Sequence, residues 1–263
     1  MRIAVAGGTG TVGRHIVEIA RSRDHEAVVL SRSEGVDLTN GAELASALAG
    51  VEVVIDAAST ATQSADESRA FFGAVTTNLL TAGEATGVAH HIALSIVGSD
   101  LAPFGYYAGK AEQERLVRAG RVPWTILRAT QFHEFAAQIL GQVKLGPVGL
   151  VPKMVSQPVA AREVAERLVD LAERDPAGLA ADLAGPEVLR MRDMVRAYAA
   201  ATGDRANPPG RPGRPGRPGP TLELPLPGGF GKALRDGTIL PAPGADRGTQ
   251  TFAEWIAEPH GRP

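Results

Sequence analysis

Cysteine is absent from all 263 residues. Its absence excludes disulfides, thiolate nucleophiles, iron–sulfur clusters and cysteine zinc sites, so any chemistry must come from oxygen, nitrogen or a bound cofactor. A charge excess is also lacking: 27 Lys and Arg against 29 Asp and Glu leave a formal net charge of -2. Neither nucleic acid nor an anionic membrane is implied as a partner, and a small-molecule substrate is expected instead. No apolar run approaches the roughly 20 residues that span a bilayer. The first motif begins at Gly7, which leaves no room for a signal-peptide core, so the expectation is a soluble cytoplasmic protein. What the chain does have is 44% hydrophobic residues, enough for one large α/β domain or a domain with a smaller appendage.

The chain is organised around Gly7-Gly8-Thr9-Gly10-Thr11-Val12-Gly13, which follows the apolar run Ile3 to Ala6 and precedes a helical pattern at Val12, Ile16, Ile19 and Ala20. Strand, glycine turn and helix are the parts of a dinucleotide-binding unit, in which the glycines permit a tight turn, close backbone approach to a pyrophosphate, and close packing of helix on strand. Gly7, Gly10, Thr11, Val12 and Gly13 are the expected phosphate cradle, at a helix start whose amides favour anions.

Ala27 to Leu30 reads as a second buried parallel strand, ending at Ser31-Arg32-Ser33. An acidic residue at such a strand end would accept from a ribose 2′-hydroxyl, whereas an Arg accommodates a 2′-phosphate. With Arg32 there, NADP(H) is preferred over NAD(H); the alternative is a solvated Arg32, with Glu34 or Asp37 at the ribose. Arg14, a cation at the unfavourable end of a helix dipole, agrees with a bound phosphate. Asp37 and Leu38, both candidate cofactor-binding residues, follow on a short strand or turn, then a helix from about Asn40 to Ala49. Val51 to Ile55 is the next strand, and Ala57, Ala58 and Ser59 at its end leave room for cofactor, or serve plain packing.

A helix from about Asp66 to Thr86 would present Phe71, Val75 and Leu79 on one face, with Asn78 a local hydrogen-bonder. His90 and His91 start the strand that ends at Ser95; alternation points them to opposite faces, so no metal site is expected. Tyr106 and Lys110 open a helix and share one face at i and i+4. A lysine ammonium beside a phenol lowers the tyrosine pKa, which suits proton transfer to or from a substrate oxygen, and Ser95 would hold that same oxygen. The alternative is that Tyr106 and Lys110 are surface residues of a protein that only binds cofactor.

These stretches, with Ala57-Ala58, Leu94-Ser95, Tyr106-x-x-x-Lys110 and the run Pro123 to Gln131, together resemble the short-chain dehydrogenase/reductase superfamily, in its atypical NmrA-like subgroup. The resemblance covers about residues 1 to 200. It implies a Rossmann-type, doubly wound parallel α/β sheet with a small C-terminal substrate-binding region. It also implies Tyr106 as general acid or base, Lys110 on the nicotinamide ribose and Ser95 orienting the carbonyl. Ser95-Ile96 stands where the family often has paired serines.

Gln131, Phe132 and His133 are candidates for the substrate pocket wall, an ordinary helix-start role standing beside it for His133. Val143 to Val151 reads as a flap or short hairpin, and helices follow from Arg162 and Arg190. Residues 207–220 repeat Pro-Gly-Arg with no aromatic residue between the arginines, the pattern of an extended surface linker and not of an RNA-binding strip. Phe252 and Trp255 belong to a short terminal helix. The expected division is a NAD(P)-binding domain over 1–155 and a smaller substrate region over 156–263, as monomer or homodimer. The function expected is hydride transfer between NADP(H) and a small carbonyl, enone or alcohol. Alternatives are Lys110 as the acid–base group, a non-catalytic NAD(P) redox sensor, and a redox-neutral epimerase, dehydratase or cyclase.

Overall fold

The computed structural model describes residues 1–142, 144–145, 148–202 and 221–258, so the Pro-Gly-Arg stretch lies outside the described residues. Two compact units divide the chain: Met1–Ala129 with Ala161–Leu183, and Thr130–Ala160 with Ala184–Pro263.

The first unit carries the parallel strands β1 (Arg2–Ala6), β2 (Glu26–Leu30), β3 (Val53–Asp56), β4 (His90–Ile96) and β5 (Trp124–Ala129), with the short strand Gly178–Leu179 pairing parallel to β5. They lie in the order β5-β4-β3-β1-β2, with helices α1 (Gly13–Ser22), α2 (Leu44–Ala47), α3 (Ala65–Thr86) and α4 (Tyr106–Ala119) between them in sequence and a further helix, Ala161–Ala172, after β5. This is the Rossmann-type α/β architecture expected from the sequence. Strand order reverses between β1 and β3, the crevice where open α/β sheets bind ligands. The register aligns the strand ends: Ala6 pairs with Leu30 on one side and with Asp56 on the other, and Asp56 pairs in turn with Ala93. The segments after β1, β2 and β3 therefore emerge at one sheet edge.

Local chemistry explains the elements. Ile3 to Ala6 and Val53 to Ile55 are buried on both faces, as central parallel strands must be. Ser64 caps α3 by accepting from the Glu67 N–H, Asp66 and Glu67 complement its dipole, and Gly87 ends it at φ 80°. Its inner face holds Phe72, Val75 and Leu79, with Phe71 only partly buried, so the expected stripe is rotated by one residue at the first aromatic. The helix expected from Asn40 is reduced to the four residues of α2, because Gly41 sits at φ 71°, packed against Asn78. Asn78 donates to both the Leu38 and Thr39 carbonyls at 2.9 Å, the local role expected of it.

In the second unit the strand Val148–Pro152 pairs antiparallel with Lys144–Leu145 and parallel with Thr221–Leu224. The helix Phe252–Ala257 starts with a capping box between Thr251 and Glu254, and stacks Trp255 on Tyr198. Among the described residues no helix is long and apolar enough to cross a membrane.

Candidate active site

The loop between β1 and α1 is shaped by the lack of side chains. Gly7 takes φ 73° and donates its N–H to Leu30 O at 2.9 Å; a Cβ there would meet Ala57 O at 2.8 Å. A Cβ on Gly13 would lie 2.1 Å from Gly7 O, so only glycine closes this turn. Ala57 and Ala58 thus pack on Gly7 as well as standing at the β3 edge. The first turn of α1 holds no acidic residue, its Val12 cap offers no side-chain acceptor, and Arg14 is exposed. These residues fit a dinucleotide: uncapped amides from Thr11 to Gly13 face a position where a pyrophosphate is favoured.

At the end of β2, Arg32 is exposed in a single helical turn, Arg32–Glu34, and the buried Ser31 shares a hydrogen bond with Ser33 at 2.8 Å between hydroxyls. Asp37 is turned to its own loop, where its Oδ1 accepts from the Thr39 hydroxyl and N–H at 2.7 and 2.9 Å; those bonds hold its carboxyl below the usual range. Leu38, expected at the cofactor, instead places its side chain in the core beside Leu44 and Leu79, because the segment it occupies packs down on α2 and α3.

Tyr106 and Lys110 owe their position to Gly109. A Cβ on that residue would sit 2.2 Å from Ser68 Oγ and 2.5 Å from the Phe72 ring, so α3 and α4 approach to glycine distance. Ser68 then donates to the Tyr106 carbonyl at 3.0 Å, and Phe72 meets the Tyr106 ring edge-on at 5.4 Å. The half-buried Tyr106 sets its hydroxyl 3.1 Å from the hydroxyl of the exposed Ser59. Lys110 is buried. Its Nζ donates to Leu94 O at 2.8 Å and Gln113 Oε1 at 2.9 Å, and lies 4.2 Å above the Phe72 ring. Gln113 passes the chain on, donating to Asp56 Oδ2 at 2.8 Å, while Asp56 Oδ1 accepts from the Ala58 N–H.

The electrostatics correct the expected tuning. Burial pushes the Tyr106 phenol up to about 12; the bond with Ser59 opposes this and the Asp56 carboxylate adds to it. Burial also brings Lys110 down to about 8, against the pull of the Asp56 and Glu114 carboxylates. Lys110 Nζ stands 6.0 Å from the Tyr106 ring centre, so the two share a face, yet desolvation decides both pKa values. Near neutral pH the phenol is therefore protonated.

Ser95 is also placed differently from the expectation. Its buried hydroxyl donates to Glu114 Oε1 at 2.7 Å, in a cluster where the same oxygen accepts from Ser99 and Arg128 Nε, while Arg128 Nη2 reaches Oε2 at 2.7 Å. Burial raises the Glu114 carboxyl, but the bonds from Arg128 and Ser95 outweigh it and hold the group below its usual value. Parallel pairing sets Ser95 opposite Arg128, so both meet Glu114 from adjacent strands. Ser59 takes the place beside Tyr106 that the sequence assigns to Ser95.

Gln131, Phe132 and His133 belong to the second unit. Phe132 bridges to Val159, and the buried His133 contacts the Gln250 carbonyl at 3.1 Å, its ring 5.4 Å from Phe252 and 5.7 Å from Trp255. For His133 this is the helix-start role among core aromatics. Gln113 and Glu114 carry no motif, and their signal is spacing: they stand three and four residues after Lys110, on its helix face.

A family model described as NAD(P)H-binding matches residues 7–175, well over half of the chain. The chain belongs to the NAD(P)H-binding family. As a member of this family it binds a nicotinamide cofactor. Its fold is that of several solved structures. An NADPH-dependent quinone oxidoreductase from Escherichia coli is 18% identical over 97% of this chain and 98% of its own, with a TM-score of 0.63. UDP-glucose 4-epimerase from Thermus thermophilus, solved with NAD, is 21% identical over 99% and 93%, with a TM-score of 0.64. A dTDP-4-dehydrorhamnose reductase from Clostridium acetobutylicum is 19% identical over 77% and 81%, with a TM-score of 0.64. No curated protein matches this sequence.

Proposed function

We propose that this member of the NAD(P)H-binding family is an NADP(H)-dependent reductase of small carbonyl or enone substrates, with Tyr106 as the proton donor. The observation that carries the reading is the Tyr106 hydroxyl, set 3.1 Å from the Ser59 hydroxyl and sharing a helix face with Lys110. A protonated phenol is an acid, which suits the reductive direction.

A bound nicotinamide would supply the hydride. The chain would supply everything else. Backbone at Gly7, Gly10, Thr11, Val12 and Gly13 would cradle the pyrophosphate, with Ala57 and Ala58 flanking it. Lys110 has three N–H donors, two of them given to Leu94 and Gln113, and its third would hold the ribose. Arg32, exposed at the end of β2 while Asp37 is engaged by Thr39, favours a 2′-phosphate and hence NADP(H). As negative charge grows on the substrate oxygen, Tyr106 would deliver its proton there.

The test follows NADPH oxidation with menadione and para-nitrobenzaldehyde as probes, in the native chain and in Tyr106→Phe. The variant should lose about a hundredfold or more in kcat while binding NADPH normally. Turnover retained in Tyr106→Phe, or NADPH bound but oxidised with neither probe, overturns the reading.

A further inference from the structure

Two serines compete for one role at this sheet edge, and their surroundings separate them. Ser95 stands at the end of β4, but it is buried and its single proton is donated to Glu114 Oε1 at 2.7 Å. That oxygen is also bound by Ser99 at 2.9 Å and by Arg128 Nε at 2.8 Å, so turning Ser95 toward a substrate would break a buried, charge-assisted cluster. Ser59 follows β3, is exposed, and has its hydroxyl 3.1 Å from Tyr106 Oη. A hydroxyl has one donor and two acceptor sites, so Ser59 can accept from one neighbour and donate to another.

We infer that Ser59, not Ser95, is the second hydroxyl of the active site, holding the reacting substrate oxygen together with Tyr106. The inference rests on the reductase reading above. In the step it serves, hydride from NADPH adds to the carbonyl carbon, the C=O π pair moves onto oxygen, and the Tyr106 proton closes the O–H bond, leaving an alcohol, NADP⁺ and a tyrosinate that regains its proton from solvent. Ser59 donates a hydrogen bond to the oxygen as its charge develops. Ser95 instead fixes α4 to β4 through Glu114, a positioning contact for the helix that bears Tyr106.

The experiment compares Ser59→Ala and Ser95→Ala in the full chain, with Tyr106→Phe as control. NADPH turnover of menadione and para-nitrobenzaldehyde, thermal unfolding, and fluorine NMR titration of fluorotyrosine-labelled protein are read on each. Ser59→Ala should lower kcat about a hundredfold, as removal of an oxyanion donor does, keep the native unfolding midpoint, and move the Tyr106 titration upward. Ser95→Ala should lower the midpoint by several degrees and leave the Tyr106 titration in place. The inference is overturned by native kcat and an unmoved Tyr106 titration in Ser59→Ala, or by a stable Ser95→Ala that loses turnover. If the native chain turns over neither probe, the reductase reading fails, while the fluorine titration still decides whether Ser59 controls the Tyr106 hydroxyl.

Discussion

Around Gly7 and Gly13 the sheet edge is built by taking side chains away, whereas around Lys110 and Glu114 it is built by burying polar ones and joining them by hydrogen bonds. The first region works through sterics: three backbone segments lie so close that a methyl group at Gly13 would overlap the Gly7 carbonyl at 2.1 Å. The second works through electrostatics: Lys110, Gln113 and Asp56 form one hydrogen-bonded chain and Glu114 and Arg128 a second group, with bonds of 2.7 to 2.9 Å. The difference is one of failure mode. A steric cradle breaks when anything is added, while a buried polar network responds to the loss of a single proton.

The largest effect is expected at the steric end. Gly13→Val puts two further carbons beyond a Cβ that already has no space, and the start of α1 must move away from Gly7. NADPH binding should be lost outright, and overpacking of this kind costs up to about 3 kcal/mol in stability. Isothermal titration with NADPH and a denaturant melt check both. A variant that binds normally would mean that the cradle is softer than its contacts indicate.

A smaller effect, with a definite sign, belongs to the polar end. Lys110 is brought down to about 8 in the folded chain and returns to its ordinary value near 10.5 when unfolded. Between those values the unfolded state holds the extra proton, so stability rises with pH. The gain is complete above the unfolded value and is lost as pH falls through about 8. Its size is on the order of 3 kcal/mol. Tyr106 acts the other way: raised to about 12, it keeps its proton where the unfolded phenol near 10 has lost it, so stability declines from about pH 10 upward. Unfolding free energies across alkaline pH, in the native chain and in Lys110→Met, should differ by the missing rise; parallel curves would show that Lys110 is not desolvated.

The same contrast decides what could be read from the sequence. A glycine cradle is local, since Gly7 to Gly13 must touch one another whatever lies elsewhere, and the strand and helix flanking it follow from the apolar pattern. Tyr106 and Lys110 are legible for the same reason, being four residues apart on one helix. Ser95 is not legible, because its partner depends on which strand lies beside β4 and in what register; pairing with Arg128 settles that only in three dimensions. The pKa of Tyr106 escapes as well. Proximity of a lysine shows in spacing, but the stronger opposing influence is burial by Phe72 and its neighbours, which spacing does not reveal.

The smallest effect lies where neither device operates, at the exposed end of β2. Arg32 is not needed for packing, and Asp37, which the sequence leaves as its rival for the ribose, is held by Thr39. Replacing Arg32 with Ala should therefore leave stability unchanged and NADH affinity nearly so. NADPH affinity should fall about tenfold, the worth of one charge-assisted contact with a phosphate. The loss should shrink as salt is added, because an exposed ion pair is screened within a Debye length of about 8 Å at physiological ionic strength. Titrations of both cofactors at low and high salt measure this. Equal affinities for NADPH and NADH in the native chain would overturn the proposed NADP(H) preference while leaving the cradle and the Tyr106 site as they are.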